Sequence, residues 1–171
     1  VSSAASDVYK RQEADWVADF IADYSITYPV AFDCEGFNTS ESRQKSMTKA
    51  ERTAVAAAFL QEIYDKGYTP MFYAASSELT NNSQWNTASL ENSFKIWVAQ
   101  YPSTPYPETP STSYAGTYSM WQYTNQGRVA GIGTNVDINV AYFGYSESNS
   151  SLSGETAAAA SPDVEAGMVF T

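Results

Sequence analysis

One short stretch decides how this chain folds: Val30-Ala31-Phe32-Asp33-Cys34-Glu35. Its apolar residues follow Pro29 and predict a buried parallel strand that ends at two carboxylates. Alternate side chains of a strand share a face, so we expect Asp33 and Glu35 to point together and Cys34 to point away. Because burying a charge is costly unless it is paired or functional, this pair predicts acid/base chemistry.

Helix patterns flank this strand on both sides. Upstream, an apolar stripe after Glu13 predicts a helix whose stripe packs in the core; it consists of Trp16, Val17, Phe20, Ile21 and Tyr24. Downstream, Thr48 and Glu51 form a capping-box signature that predicts the start of a second helix. Gly67 is expected to end that helix, because glycine is the usual residue after a helix C-terminus.

Two further strands, at 69–73 and 95–100, are predicted after the second helix. Strand, helix and strand in this order indicate an α/β protein with right-handed crossovers and parallel pairing, as in a barrel or an open doubly wound sheet. A strand at 118–123 and turn residues at 125–127, before an apolar run at 129–132, predict a late β-hairpin.

Composition excludes several classes of function. The formal net charge of −10 argues against nucleic acid as a partner, because phosphate binding depends on Lys and Arg. The absence of His rules out Ser-His-Asp triads and His-ligated zinc, so carboxylates remain as acid/base groups. No apolar stretch reaches the roughly 20 residues of a membrane helix, and no signal peptide is predicted in this chain.

Further blocks follow the Asp-x-Glu strand in a fixed order. They are Gly67-Tyr68-Thr69-Pro70-Met71-Phe72-Tyr73, then Ile96-Trp97-Val98-Ala99-Gln100-Tyr101, then Met120-Trp121-Gln122-Tyr123, and Gly131-Ile132-Gly133 leading to Val136-Asp137-Ile138-Asn139. With the strand, these blocks resemble glycoside hydrolase family 25, the lysozymes of bacteria, phages and some fungi. The resemblance implies a TIM-like β/α barrel.

The resemblance also implies an activity. It is the cleavage of the β-1,4 bond between N-acetylmuramic acid and N-acetylglucosamine in peptidoglycan, without metal or cofactor. Glu35 would be the general acid, Asp33 would orient the substrate acetamido group, and Asp137 matches a late acidic position of the active site. Five residues would line the sugar groove: Tyr73, Trp97, Gln100, Trp121 and Gln122. An extracellular or cell-wall location is implied, and no membrane or protein partner is expected.

Each of these residues also has a plainer interpretation. Trp97, Trp121 and Tyr73 lie in apolar strands where core packing is common, and Asp137 has the sequence context of a turn or capping residue. Two other functions therefore stay open. One is a catalytically silent peptidoglycan-binding fragment that holds glycan by aromatic stacking. The other is a chitinase-like hydrolase with the same paired carboxylates.

The resemblance covers 13–145 and leaves both ends of the chain unmatched. Residues 1–12 are interpreted as a non-family segment, such as a tag or assembly artefact, and the Ser/Ala-rich 146–171 as a linker or disordered tail. The early strand that carries a further active-site Asp in the family is not found here. Because a β/α barrel needs about 200 residues, we expect an N-terminally truncated, incomplete barrel that lacks its first β/α units.

Overall fold

The structure, a computed structural model, describes residues 3–42 and 44–143, with side chains from Arg11 onward. Its helices are α1 (Ser3–Ile21), α2 (Lys49–Asp65), α3 (Ser76–Leu79) and α4 (Thr87–Ser93), with a short 3-10 helix at Thr80–Asn82 between the last two. Its strands are β1 (Val30–Asp33), β2 (Pro70–Ala75), β3 (Lys95–Ala99), β4 (Met120–Gly127) and β5 (Val136–Ala141). The predicted tail at 146–171 lies outside the described residues.

The strands form one curled, half-barrel sheet in the order β1-β2-β3-β4-β5. The first four strands are parallel, and β5 returns antiparallel to β4. The predicted α/β class and the parallel pairing of the early strands are therefore confirmed. The register places Asp33 beside Tyr73, and Tyr73 beside Trp97.

The two faces of the sheet have different roles. The outer face packs under the helices, and its core includes Phe32, Phe72, Ile96, Val98 and Trp121 from the strands with Ala56, Phe59, Leu60 and Ile63 from α2. The inner face carries a second, smaller apolar cluster of Met71, Tyr73, Trp97, Ala99, Met120 and Ala141. Because strand side chains alternate, each strand contributes to both faces.

Helix α2 forms as the sequence predicts. Thr48 is its N-cap: the backbone N–H of Glu51 donates to Thr48 Oγ1 at 3.2 Å, and the backbone N–H of Thr48 donates to Glu51 Oε2 at 2.9 Å. Beyond the C-cap, Gly67 adopts a φ of 89°, a conformation that favours glycine, and donates to Tyr64 O. Because α2 is capped at both ends, the chain leaves the helix at Gly67 and enters β2, which pairs with β1.

Helix α1 differs from the prediction in which side it buries. Ala14 and Ala18 are buried, whereas Trp16, Phe20 and Tyr24 are 67%, 64% and 64% exposed. The prediction that the apolar stripe packs in the core is therefore wrong for these three aromatic residues, whereas Val17 of the same stripe packs against the core. The helix turns its alanines inward, because small side chains allow α1 to approach the rest of the molecule closely. The aromatic stripe, defined as Trp16 and Phe20 of α1 with Tyr24 three residues beyond its end, lies at the surface.

Two ion pairs show how α1 lies against α2. Arg11 Nη1 contacts Glu62 Oε2 at 3.1 Å, and Lys66 Nζ contacts Asp15 Oδ1 at 2.6 Å. Since both residue numbers increase together, the two helices run parallel, as successive helices of β/α units do. Helix α1 begins at Ser3 and runs across the expected boundary at residue 12, which remains a prediction.

The late hairpin exists, but its turn lies further along the chain than predicted. Residues 125–127 continue strand β4, and the antiparallel partner is β5 rather than 129–132. Gly127 serves close packing here: a Cβ at this position would lie 2.2 Å from Ile138 Cδ1. Among the helices that the structure describes, none combines the length and apolar character needed to cross a membrane.

Candidate active site

The end of β1 presents two carboxylates at the inner face. Phe32 packs on the outer face, so the alternation of the strand directs Asp33 to the opposite side, and Glu35, two residues beyond the strand, is close enough to act on Asp33 and Tyr73. Both residues retain contact with solvent. Partial removal from water raises the pKa of Asp33 above its ordinary value of 3.8, and the nearby Glu35 carboxylate raises it further. The two carboxylates are therefore electrostatically coupled.

Tyr73 and Trp97 continue this face across the next two strands. Each is 8% exposed, and their rings meet edge to face with centroids 4.8 Å apart. Burial raises the pKa of the Tyr73 hydroxyl, and its neighbours Tyr101 and Glu35 add to the rise. Tyr73 therefore keeps its proton and presents a neutral hydroxyl beside the carboxylates.

The Gln122 side chain forms hydrogen bonds with two tyrosines near the carboxylates. It is 2% exposed, and its Oε1 accepts hydrogen bonds from the hydroxyls of Tyr73, at 2.9 Å, and of Tyr101. Burial raises the pKa of Tyr101, the hydrogen bond with Tyr73 opposes this rise, and the carboxylates of Asp137 and Glu35 add to it. Tyr101 therefore lies within electrostatic range of both an early and a late acidic residue.

Strand β5 brings the late part of the chain to the same rim. Because β5 is antiparallel, its beginning lies at the end of the sheet where the parallel strands finish, and Asp137 lies there. Two residues on, Asn139 Oδ1 accepts a hydrogen bond from Trp97 Nε1 at 2.9 Å. The structure thus brings together six of the predicted site residues: Asp33, Glu35, Tyr73, Trp97, Gln122 and Asp137.

The other two predicted groove residues, Gln100 and Trp121, lie on the other side of the sheet. Trp121 is completely buried in the outer-face core, and its Nε1 donates to the Gln100 backbone oxygen at 2.8 Å. The Gln100 side chain accepts from Thr112 Oγ1 at 2.8 Å and from the Ser113 backbone at 3.1 Å. Both side chains therefore stabilise the loop after β3 and face away from Asp33.

Two residues of this region were not singled out from the sequence. Tyr101 could have been found by parity, because it lies four positions after Trp97 and so shares its face. Glu78, in the short helix α3 after β2, has no sequence signal. Its Oε2 accepts a long hydrogen bond of 3.4 Å from Trp85 Nε1. Burial raises the pKa of Glu78, the Trp85 bond opposes this, and Glu35 adds to the rise.

The arrangement favours acid/base chemistry that uses carboxylates. Within residues 3–42 and 44–143, no three or more His, Cys, Asp or Glu side chains are grouped so as to hold a metal ion. Asp33, Glu35 and Asp137 instead lie close to a wall formed by the hydroxyls of Tyr73 and Tyr101 and the ring of Trp97. Such a wall suits a sugar, which offers hydroxyls to the carboxylates and an apolar ring face to the aromatics.

Comparison with solved structures supports a known fold. The chain is 18% identical to GHIP, a glycosyl hydrolase 25 and virulence factor of Streptococcus pneumoniae participating in host cell invasion, with a TM-score of 0.56. It is 20% identical to the spore cortex lytic enzyme SleM of Clostridium perfringens, with a TM-score of 0.50. The matches cover 83% and 81% of this chain but only 57% and 45% of those proteins.

Comparison at the sequence level gives the family directly. No curated protein matches the chain significantly. The sequence model of glycosyl hydrolases family 25, however, matches residues 3–132, which is most of the chain and includes both carboxylates of β1. The match, the fold of the two solved structures and the paired carboxylates agree, and the chain belongs to glycosyl hydrolases family 25.

Proposed function

We propose that this chain cleaves the β-1,4 bond between N-acetylmuramic acid and N-acetylglucosamine in peptidoglycan, as a lysozyme-type glycosidase. The observation that carries the proposal is the coupled pair Asp33 and Glu35 on the inner face, beside Tyr73 and Asp137. Membership of the family supports glycoside hydrolysis. The description of SleM as a spore cortex lytic enzyme supports a cell-wall substrate, and with it an extracellular or cell-wall location.

In the proposed mechanism, the anomeric configuration is retained through participation of the substrate. Glu35 donates its proton to the glycosidic oxygen while the carbonyl oxygen of the substrate acetamido group attacks the anomeric carbon and the C–O bond breaks. Asp33, as carboxylate, accepts a hydrogen bond from the acetamido N–H and stabilises the cyclic cation. Glu35 then takes a proton from water, whose oxygen attacks the anomeric carbon and opens the ring.

The supporting residues have separate roles in this proposal. The neutral Tyr73 hydroxyl borders the acetamido group, and Asp137 adds negative charge opposite the developing cation. Trp97 and Gln122 form the floor of the groove. The predicted contribution of Gln100 and Trp121 to sugar binding is not included, because their side chains lie on the outer face.

We further propose that the half-barrel sheet is one part of a TIM-like β/α barrel. The chain spans about half the length of the two solved structures, and the β1 edge has no partner strand among the described residues. The second candidate is a peptidoglycan-binding fragment without catalysis, and the edge position of β1 in the described sheet is the observation that supports it. Both candidates bind glycan in the same groove, but only the first one hydrolyses it.

The test is hydrolysis of a purified peptidoglycan suspension by the purified chain, and the release of reducing ends measures its rate. Glu35→Gln should lower the rate by about 100- to 10,000-fold, since it removes the general acid. The matched control is Glu108→Gln, the same change in an exposed loop, which should leave the rate unaltered. Retention on insoluble peptidoglycan without reducing ends would support the binding fragment. Faster release from chitin than from peptidoglycan would support a chitinase-like hydrolase.

A further inference from the structure

Asn139 has a hydrogen-bonding group that the fold leaves unused. It lies in β5 on the inner face, is 1% exposed, and accepts a hydrogen bond from Trp97 Nε1 through Oδ1. An indole N–H can only donate, so the amide oxygen must be the end that faces Trp97. The orientation of the amide is therefore fixed, and Nδ2 is directed away from Trp97.

The Nδ2 group is buried and has no hydrogen-bond partner in the part of the chain that the structure describes. Buried polar groups are nearly always paired in folded proteins, because an unmade bond forfeits the hydration that the group had in the unfolded chain. Unpaired buried groups are found where a ligand or an ordered water supplies the missing partner. Asn139 lies at the rim that also carries Asp137, two residues earlier.

The surrounding groups decide what kind of partner fits. Asp33, Glu35 and Asp137 are hydrogen-bond acceptors when ionised, and the hydroxyls of Tyr73 and Tyr101 are engaged with Gln122 and with each other. Sugar hydroxyls can therefore donate to the carboxylates, whereas a carbonyl oxygen needs a donor. The negative charge of the site disfavours a carboxylate ligand near Asn139. A neutral carbonyl oxygen is the acceptor that this position suits.

We propose that Asn139 determines specificity in the proposed glycosidase by donating, through Nδ2, to the carbonyl oxygen of a glycan N-acetyl group. The proposal rests on the proposed function, because it assumes that a glycan occupies the inner face. Tyr101 reaches this part of the inner face from solvent: it is 47% exposed, and its hydroxyl donates to Gln122, the cross-strand neighbour of Asn139.

Binding measurements with two tetrasaccharides test this role. One alternates N-acetylglucosamine and N-acetylmuramic acid, and the other carries hydroxyls in place of the N-acetyl groups. Asn139→Asp keeps an oxygen for Trp97 Nε1 but removes the donor, so it should weaken binding of the acetylated ligand on the order of 10- to 100-fold. Its effect on the hydroxyl ligand should be below about threefold. Asn125→Asp, the same change at an exposed position of β4, should leave both affinities unaltered.

A change of pH separates loss of the donor from a loss of structure. Acidification protonates the carboxyl of the Asn139→Asp variant and restores an O–H donor, so its affinity relative to the unmodified protein should recover. Asn139→Leu has no such group, and its relative affinity should stay low at every pH. Tryptophan fluorescence of the free Asn139→Asp variant should match that of the unmodified protein, because Trp97 keeps its acceptor.

A measurement on the unmodified protein covers the case in which the variants do not fold. The side-chain amide NMR signals of Asn139 should shift with the acetylated tetrasaccharide and not with the hydroxyl one. Equal shifts, or binding of the acetylated ligand by Asn139→Asp within twofold of the unmodified chain, would overturn the role of Asn139 and leave the proposed function intact. Failure of the unmodified chain to bind the acetylated ligand would overturn both.

Discussion

Asp33 holds its proton more tightly in the folded protein than in a free chain, for two separable reasons. Removal from water is the larger cause, and the Glu35 carboxylate is the second. Glu35→Gln removes only the second, so the pKa of Asp33 should fall while staying above 3.8. Carboxyl ¹³C NMR titration measures this directly. Glu108→Gln should not change the titration, and an unchanged pKa of Asp33 in Glu35→Gln would contradict the coupling.

The same raised pKa makes stability depend on pH in a defined direction. The folded state binds the Asp33 proton more tightly than the unfolded state does, so folding is favoured at low pH. This contribution is lost as pH rises from 3.8 through the folded pKa. Asp33→Asn imitates the protonated form, and we expect it to raise Tm at pH 7 but not at pH 3. A lower Tm at pH 7 would show that the ionised carboxylate is stabilised by the fold.

Strand parity explains which site residues could be predicted from the sequence. Asp33 and Glu35 are two positions apart and share a face, and Tyr101 follows Trp97 by four. Trp121 and Gln122 are adjacent, so only one of them can face the groove. Gln100 is an odd number of positions from Trp97 and faces away for the same reason. Glu78 had no such signal, because a short helix after a strand can direct its side chains anywhere.

Among the helices, α2 has the start that the sequence specifies most clearly. Thr48 and Glu51 cap each other's backbone, which local sequence alone can encode. Thr48→Ala should lower the free energy of unfolding by about 1 kcal/mol, measured by urea denaturation. Ser111→Ala, the removal of a hydroxyl in an exposed loop, should change it by less than about 0.5 kcal/mol. Equal effects would mean that the cap adds nothing to stability.

The late hairpin shows the limit of local sequence patterns. Asn125-Gln126-Gly127 has the composition of a tight turn, yet it remains within β4 because β5 pairs along it. The register shifts between Gln122 and Gly127, an irregularity in the pairing with β5. Gly127 is needed there for its small size beside Ile138. The pairing of β4 with β5, which the composition of residues 125–127 does not record, therefore sets the position of the turn.

For the whole molecule, an apolar stripe proved insufficient to identify the buried side of α1. Periodicity shows that a helix has an apolar side, but the chain beside it decides whether that side is covered. Ala14 and Ala18 are covered, and the aromatic stripe is not. Successive residues turn by about 100° around a helix, which places Trp16 and Phe20 on the flank away from Arg11 and Asp15, the residues paired with the α2 region.

The same substitution, phenylalanine to alanine, at one surface position and one core position tests this assignment. Phe20 is 64% exposed and stacks on Trp16 with centroids 5.5 Å apart, whereas Phe59 is 6% exposed between α2 and the sheet. Phe59→Ala should cost about 3–5 kcal/mol of unfolding free energy. Phe20→Ala should cost no more than about 1 kcal/mol, the loss of one aromatic contact. Chemical denaturation measures both losses of unfolding free energy. A comparable loss in Phe20→Ala would show that α1 buries its aromatic side instead.

The single cysteine of the chain lies between Asp33 and Glu35 in sequence, just after β1, and packs against the outer-face core. Cys34 is partly accessible, and its thiol contacts Gln44 Oε1 at 3.2 Å. A thiol-reactive fluorophore would therefore attach at one position only, behind the reacting groups and outside the groove. Its emission would report movement of the Asp33 strand as a glycan binds, without a second label and without obstructing the site.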